Sequence, residues 1–93
     1  LYPMFLLTYV CSNSIMDKQD ALIKRIVARN IRKYRTKANL TQEKVAELAD
    51  LSLNFYQRLE LASQKDTPSL ATLFKIAKVL RTKAAQLIAE HRS

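Results

Sequence analysis

The chain contains no glycine. Sharp bends between helices usually rely on glycine, because a residue without a Cβ enters the left-handed region at no steric cost. The stretch TQEKVAELADLSLNFYQRLE, residues 41–60, nevertheless reads as two short helices joined by a tight bend at residues 49–52. Aspartate and asparagine are the residue types that best tolerate positive φ after glycine. Asp50 therefore supplies the bend with a workable residue, and Asn39 does the same at the end of the preceding helix.

The segments around this stretch are also helical. Leu22, Ile23, Ile26, Val27, Ile31 and Tyr34 recur at three- and four-residue spacing, which predicts one apolar stripe on a first helix from Asp17, its cap, to about Lys37. Thr41 caps the second helix, with Val45, Leu48 and Ala49 as its apolar face and Ala46 small enough for a close helix approach. Ser52 caps the third, where Phe55, Tyr56 and Leu59 are apolar and Asn54, Gln57 and Arg58 are left outside. Pro68 suits a helix start, with Thr67 as cap, for a fourth helix that buries Leu70, Leu73, Phe74, Ala77 and Leu80. Thr82 caps a fifth, with Ala84, Leu87 and Ile88 apolar. No window after residue 16 alternates with period two, so the expected fold class is all-α: a compact five-helix domain over residues 17–93.

Residues 1–16 read as an N-terminal extension. The run from Leu1 to Val10 is too short to span a bilayer and has no basic segment before it. Met16 followed by DKQDALIKRI reads as a natural beginning. The alternative is an arm whose Phe5, Leu6, Leu7, Tyr9 and Val10 pack on a partner subunit.

Charge points to the kind of partner. The net charge is +8 and the apolar fraction 48%, a combination that excludes disorder and favours a polyanion. Lys24, Arg25, Arg29, Arg32, Lys33, Arg35 and Lys37 form an acid-free run, whereas Glu43, Glu47, Asp50 and Glu60 lie elsewhere. One cysteine, Cys11, and one histidine, His91, make neither a zinc site nor an activated thiol pair. No metal or cofactor is expected, and a reducing cytoplasm suits the lone cysteine. No paired acids, nucleophile–base pair or glycine-rich phosphate loop suggests an enzyme.

Taken in order, Arg35, LTQ at 40–42, LA at 48–49, Ser52, LE at 59–60 and PSL at 68–70 resemble the landmarks of the Cro and lambda-repressor-type helix-turn-helix domain, the XRE family. The resemblance covers about residues 26–88. Such domains commonly carry glycine where this chain has Asn39, Asp50, Ala62 and Arg81, and the loop after Glu60 is longer than is usual in them.

The resemblance implies a transcriptional regulator that lays its third helix in the major groove of double-stranded DNA. By position, Leu53, Asn54, Gln57 and Arg58 face the bases. Asn54 suits adenine, Arg58 suits guanine or a phosphate, and Leu53 can meet only a thymine methyl. Gln42, Ser52, Asn39 and Lys65 face phosphates, with Lys37 and Lys44 further candidates by charge. Arg35 and Glu60 form a structural brace, and Tyr34, Val45, Leu48, Leu51, Tyr56, Leu59, Leu73 and Leu80 form the core. Homodimerisation through helix 5 (Leu87, Ile88) and the chain ends would match a two-fold operator. Stand-alone domains of this kind include restriction–modification controllers, phage-type repressors and antitoxins. A helical protein-interaction module, antitoxin-like and with secondary or no DNA binding, is the alternative. A membrane-surface role for the first helix would require its apolar stripe to be exposed.

Overall fold

The computed structural model describes residues 12–63 and 67–90, with side chains described from Gln19 onward. Phe5, Cys11, Lys65 and His91 lie outside the described residues. Five helices follow one another: α1 Ser12–Lys37, α2 Gln42–Leu48, α3 Leu53–Leu61, α4 Leu70–Val79 and α5 Ala84–Leu87. Among the described residues there is no strand.

Helix α1 begins at Ser12, upstream of the expected start, so Asp17 lies inside the helix rather than at its cap. No proline or glycine interrupts the 26 residues, and extending an existing helix is far easier than nucleating one. At about 1.5 Å per residue, α1 is roughly 39 Å long. It packs on α3 and α5, while α2 packs on α3 and α4, and α4 packs on α5.

The core gathers Val27, Ile31, Val45, Ala46, Ala49, Tyr56, Leu59, Leu73, Ile76, Ala77, Leu80 and Leu87, with Tyr34, Leu40, Leu51 and Phe55 partly buried against it. Several apolar residues expected inside are not. Leu22 and Ile23, toward the N-terminal part of α1, are exposed, and the stripe is fully buried at Val27 and Ile31. Leu48, the last residue of α2, is 54% exposed, and Leu70 and Phe74 are 66% and 60% exposed. Helix α4 instead turns Leu73, Ile76 and Ala77 inward. Leu87 is fully buried, whereas Ile88, one residue past α5, is about half exposed.

The bends explain how a chain without glycine closes this fold. Four described residues have positive φ: Asn39 (59°), Asp50 (58°), Ala62 (56°) and Arg81 (56°). They are the four positions where similar domains commonly carry glycine. Each sits in the same hydrogen-bonded closure, in which two consecutive amides return to carbonyls of the last helical turn. After α2, Asp50 N donates to Glu47 O at 3.2 Å and Leu51 N to Ala46 O at 2.8 Å. Asn39 and Leu40 return to Thr36 and Arg35, Ala62 and Ser63 to Leu59 and Arg58, and Arg81 and Thr82 to Lys78 and Ala77. The hydrogen bonds and the packing of the next helix hold the left-handed residue in place.

Helix starts depend on side-chain oxygens. Thr41 accepts from Lys44 N and Ser52 from Phe55 N, each satisfying an amide that has no partner inside its helix. Helix α4 is capped by Ser69, which accepts from Thr72 N, and not by Thr67; Pro68 therefore precedes the cap instead of opening the helix. Helix α5 is preceded by Lys83 without a side-chain cap, so Thr82 does not cap it: the Thr82 amide is used in closing α4.

Candidate nucleic-acid interface

Helix α3 has two faces of opposite character. Its back, Tyr56, Leu59 and Glu60, is buried. Its front presents Leu53, Asn54, Gln57 and Arg58, all exposed, at the positions i, i+1, i+4 and i+5 that share one side of a helix. Leu53 is 36% exposed. Ser52 stands beside this front; its Oγ accepts the Phe55 amide at 3.1 Å, which leaves its hydroxyl hydrogen to donate outward. Asn39 is exposed at the turn before α2. Lys65 lies outside the described residues. Lys37 and Lys44 are exposed, and Lys44 Nζ donates to Glu47 at 3.0 Å.

Beneath this front lies a buried ionic cluster. Glu60 is 3% exposed. Its Oε2 accepts from Arg35 Nε at 2.6 Å and from the Tyr56 hydroxyl at 2.5 Å, and its Oε1 accepts from Arg35 Nη2 at 3.1 Å and from Gln42 Nε2 at 2.9 Å. Four donors thus occupy the acceptor sites of one carboxylate, the condition under which a buried charge is tolerated. Arg35 also donates through Nη1 to Leu40 O at 3.0 Å, so one guanidinium ties together α1, the turn before α2 and the end of α3.

Burial alone would push the Glu60 carboxyl up. The hydrogen bonds from Arg35, Tyr56 and Gln42, with the charge of Arg35, outweigh it and hold the carboxyl below its ordinary value. Burial, reinforced by the hydrogen bond to Glu60, pushes the Tyr56 hydroxyl up. The hydrogen bond to Glu60 also raises Arg35, against a smaller opposing effect of burial.

Gln42 occupies the first turn of α2 and is half-buried. Its amide is already engaged: Nε2 donates to Glu60, and Oε1 accepts from Gln57 Nε2 at 3.3 Å. For an anionic oxygen, α2 therefore retains its first backbone amides and the second hydrogen of Gln42 Nε2. The exposed front of α3 and the buried cluster are thereby joined through one side chain.

Two buried polar contacts, one in this cluster and one outside it, are not legible in the sequence. Tyr56 was legible as core but not as a donor to Glu60; its signal is the i, i+4 spacing of a phenol and a carboxylate on one helix face. Asn30 was not singled out. It is 1% exposed and donates through Nδ2 to Leu87 O at 2.9 Å and Ala89 O at 2.8 Å, fastening the end of the fold to α1. Its signal is a polar residue inside the apolar stripe, three residues after Val27. Among the described residues, no helix is long and apolar enough to cross a membrane.

A protein-family model described as helix-turn-helix matches residues 31–87, more than half of the chain. The chain belongs to this XRE-type helix-turn-helix family. Family membership makes it a DNA-binding regulator by type. The control protein C.SmaI of Serratia marcescens is 38% identical over 66 residues, covering 71% of this helix-turn-helix chain and 76% of that protein. A hypothetical transcription factor, NHTF, from Neisseria has the same fold: its crystal structure superposes with a TM-score of 0.67 at 24% identity, over 72% of this chain and 75% of that one.

Proposed function

We propose that this helix-turn-helix protein is a sequence-specific transcriptional regulator that acts in the cytoplasm as a homodimer on a two-fold operator, with α3 in the major groove. One observation carries this reading: α3 is locked from behind by a buried carboxylate while its front leaves Leu53, Asn54, Gln57 and Arg58 unburied. A reading helix needs a fixed axis and free side chains, because base contacts demand bidentate geometry. Asn54 and Arg58 are the principal base contacts, with Leu53 on a thymine methyl. Ser52, Asn39, Gln42 and Lys65 hold phosphates and set register. Similarity to a control protein supports a regulatory role.

A second copy strengthens binding, since one module contacts few base pairs and tethered half-sites add affinity. Leu87 is spent on the protomer's own core, so the apolar surface for self-association comes from Ile88, with the exposed Phe74 and Leu70 of α4. Selection of bound duplexes from a random pool tests the reading. The expected result is one enriched, near-palindromic site; recovery of no motif would refute it.

A further inference from the structure

An ionised carboxylate only accepts hydrogen bonds. The atom that Gln42 turns toward Glu60 is therefore its amide nitrogen, at 2.9 Å, and Gln42 Oε1 faces the other way. The atom that meets this oxygen must donate. It belongs to Gln57, whose Nε2 lies 3.3 Å away. One hydrogen of Gln57 Nε2 is thus used within the protein, and the amide is left with Oε1 and a single N–H.

A glutamine amide on an exposed helix face flips easily, since its terminal torsion is broad and two-fold. Here its sense is set from inside the fold. Glu60 fixes Gln42, and Gln42 fixes Gln57. A neutral hydrogen bond of typical net strength biases such a flip by about fivefold.

We propose that Gln42 is a specificity-determining residue: it relays the polarity of the buried Glu60 carboxylate to Gln57, which then presents its acceptor in one fixed sense to the major groove. The inference rests on the DNA-binding reading above. Adenine matches both groups left on Gln57, its N6 amine donating to Oε1 and its N7 accepting from the remaining N–H. Guanine offers acceptors at both N7 and O6 and leaves Oε1 unsatisfied. The base under Gln57 is therefore selected to be adenine rather than guanine or thymine, neither of which offers Oε1 a donor. Gln42 earns this role without touching a base.

The test uses the full chain and a random duplex pool. Wild-type protein is compared with Gln57→Leu and with Gln42→Leu and Gln42→Met, near-isosteric changes whose folding is checked by thermal denaturation. Gln57→Leu is expected to erase an adenine preference at one position per half-site. Both Gln42 variants should weaken discrimination at that same position about three- to tenfold and leave the other positions intact. In the free wild-type protein, one of the two Gln57 side-chain amide protons should exchange more slowly than the other. Equal exchange of the two protons, base discrimination in the Gln42 variants weakened evenly at every position rather than at the Gln57 position, or an unchanged Gln57 position would overturn the relay while leaving the regulator reading standing. A wild-type pool without any motif would overturn both.

Discussion

The Arg35 guanidinium and the Glu60 carboxylate meet at two points, Nε to Oε2 at 2.6 Å and Nη2 to Oε1 at 3.1 Å, across 25 residues of sequence. Glu60 is buried, so removing its partner strands a charge. Arg35→Met is expected to destabilise the fold by about 3 kcal/mol, the lower end for a broken buried pair because Arg35 is partly exposed. The pair also sets an acid limit. The Glu60 carboxyl is held below its ordinary value of 4.5, so beneath that pH the unfolded chain binds a proton that the folded chain refuses. Stability is full above pH 4.5 and is lost as pH falls through the depressed folded value. Denaturant titrations from pH 7 to pH 3 should show this acid loss in wild type. Glu60→Gln should lack that contribution and be less stable at neutral pH.

The four left-handed residues carry unequal strain. Alanine and arginine incur a Cβ penalty of roughly 1–2 kcal/mol there, which asparagine and aspartate relieve in part. Glycine gives back some of the gain through its greater freedom in the unfolded chain. Ala62→Gly and Arg81→Gly should each stabilise by about 0.5–1 kcal/mol. Asn39→Gly should be nearly neutral. Thermal midpoints decide: an unchanged or lowered midpoint for both Ala62→Gly and Arg81→Gly would show that these turns store no strain.

How far these features were legible depends on how local their causes are. Thr41 and Ser52 were readable as caps because an oxygen one turn before an amide is a short-range relation. Asn39 and Asp50 were readable as bends from residue type. Ala62 and Arg81 were not, since nothing in either side chain favours positive φ; the hydrogen-bonded closure imposes it. Leu48, Leu70 and Phe74 recur at helical spacing yet face outward, because spacing identifies a stripe without showing where the neighbouring helix ends. The pairing of Arg35 with Glu60 followed from the family landmarks. The convergence of Tyr56 and Gln42 on the same carboxylate did not, because it depends on how the start of α2 packs against α3.

Ser52 has two proposed tasks that substitution can separate. Its Oγ caps α3, and its hydroxyl hydrogen faces the proposed phosphate. Ser52→Asp keeps a capping oxygen and adds charge where an anion is expected. Stability should stay within about 0.5 kcal/mol, while DNA affinity should fall at least tenfold at low salt. Ser69→Ala is the control: loss of the α4 cap should cost about 1 kcal/mol and leave affinity unchanged in the folded protein. Retained affinity in Ser52→Asp would remove Ser52 from the phosphate contacts.

Asn30 fastens the C-terminal end of the described fold to α1 through the Leu87 carbonyl, in a buried hydrogen bond, and the Ala89 carbonyl, in a partly buried one. Asn30→Ala leaves both without donors and should cost about 2–4 kcal/mol. The loss should be local first, with faster amide hydrogen exchange at residues 84–89 than at Val45 or Leu59. Equal acceleration throughout would mean that Asn30 supports the whole core rather than fastening α5.

The reading of bases by the front of α3 is tested most directly with Asn54. Wild-type protein and Asn54→Ala are titrated against the selected duplex and every single-base variant of one half-site, at several salt concentrations. The account predicts that wild type discriminates against the wrong base by about 1–3 kcal/mol at an adenine contacted by Asn54. Asn54→Ala should lose that discrimination at this position alone, with an unchanged salt slope, since no phosphate contact is removed. A uniform loss across all variants, or discrimination identical to wild type, would contradict the placement of α3 in the major groove.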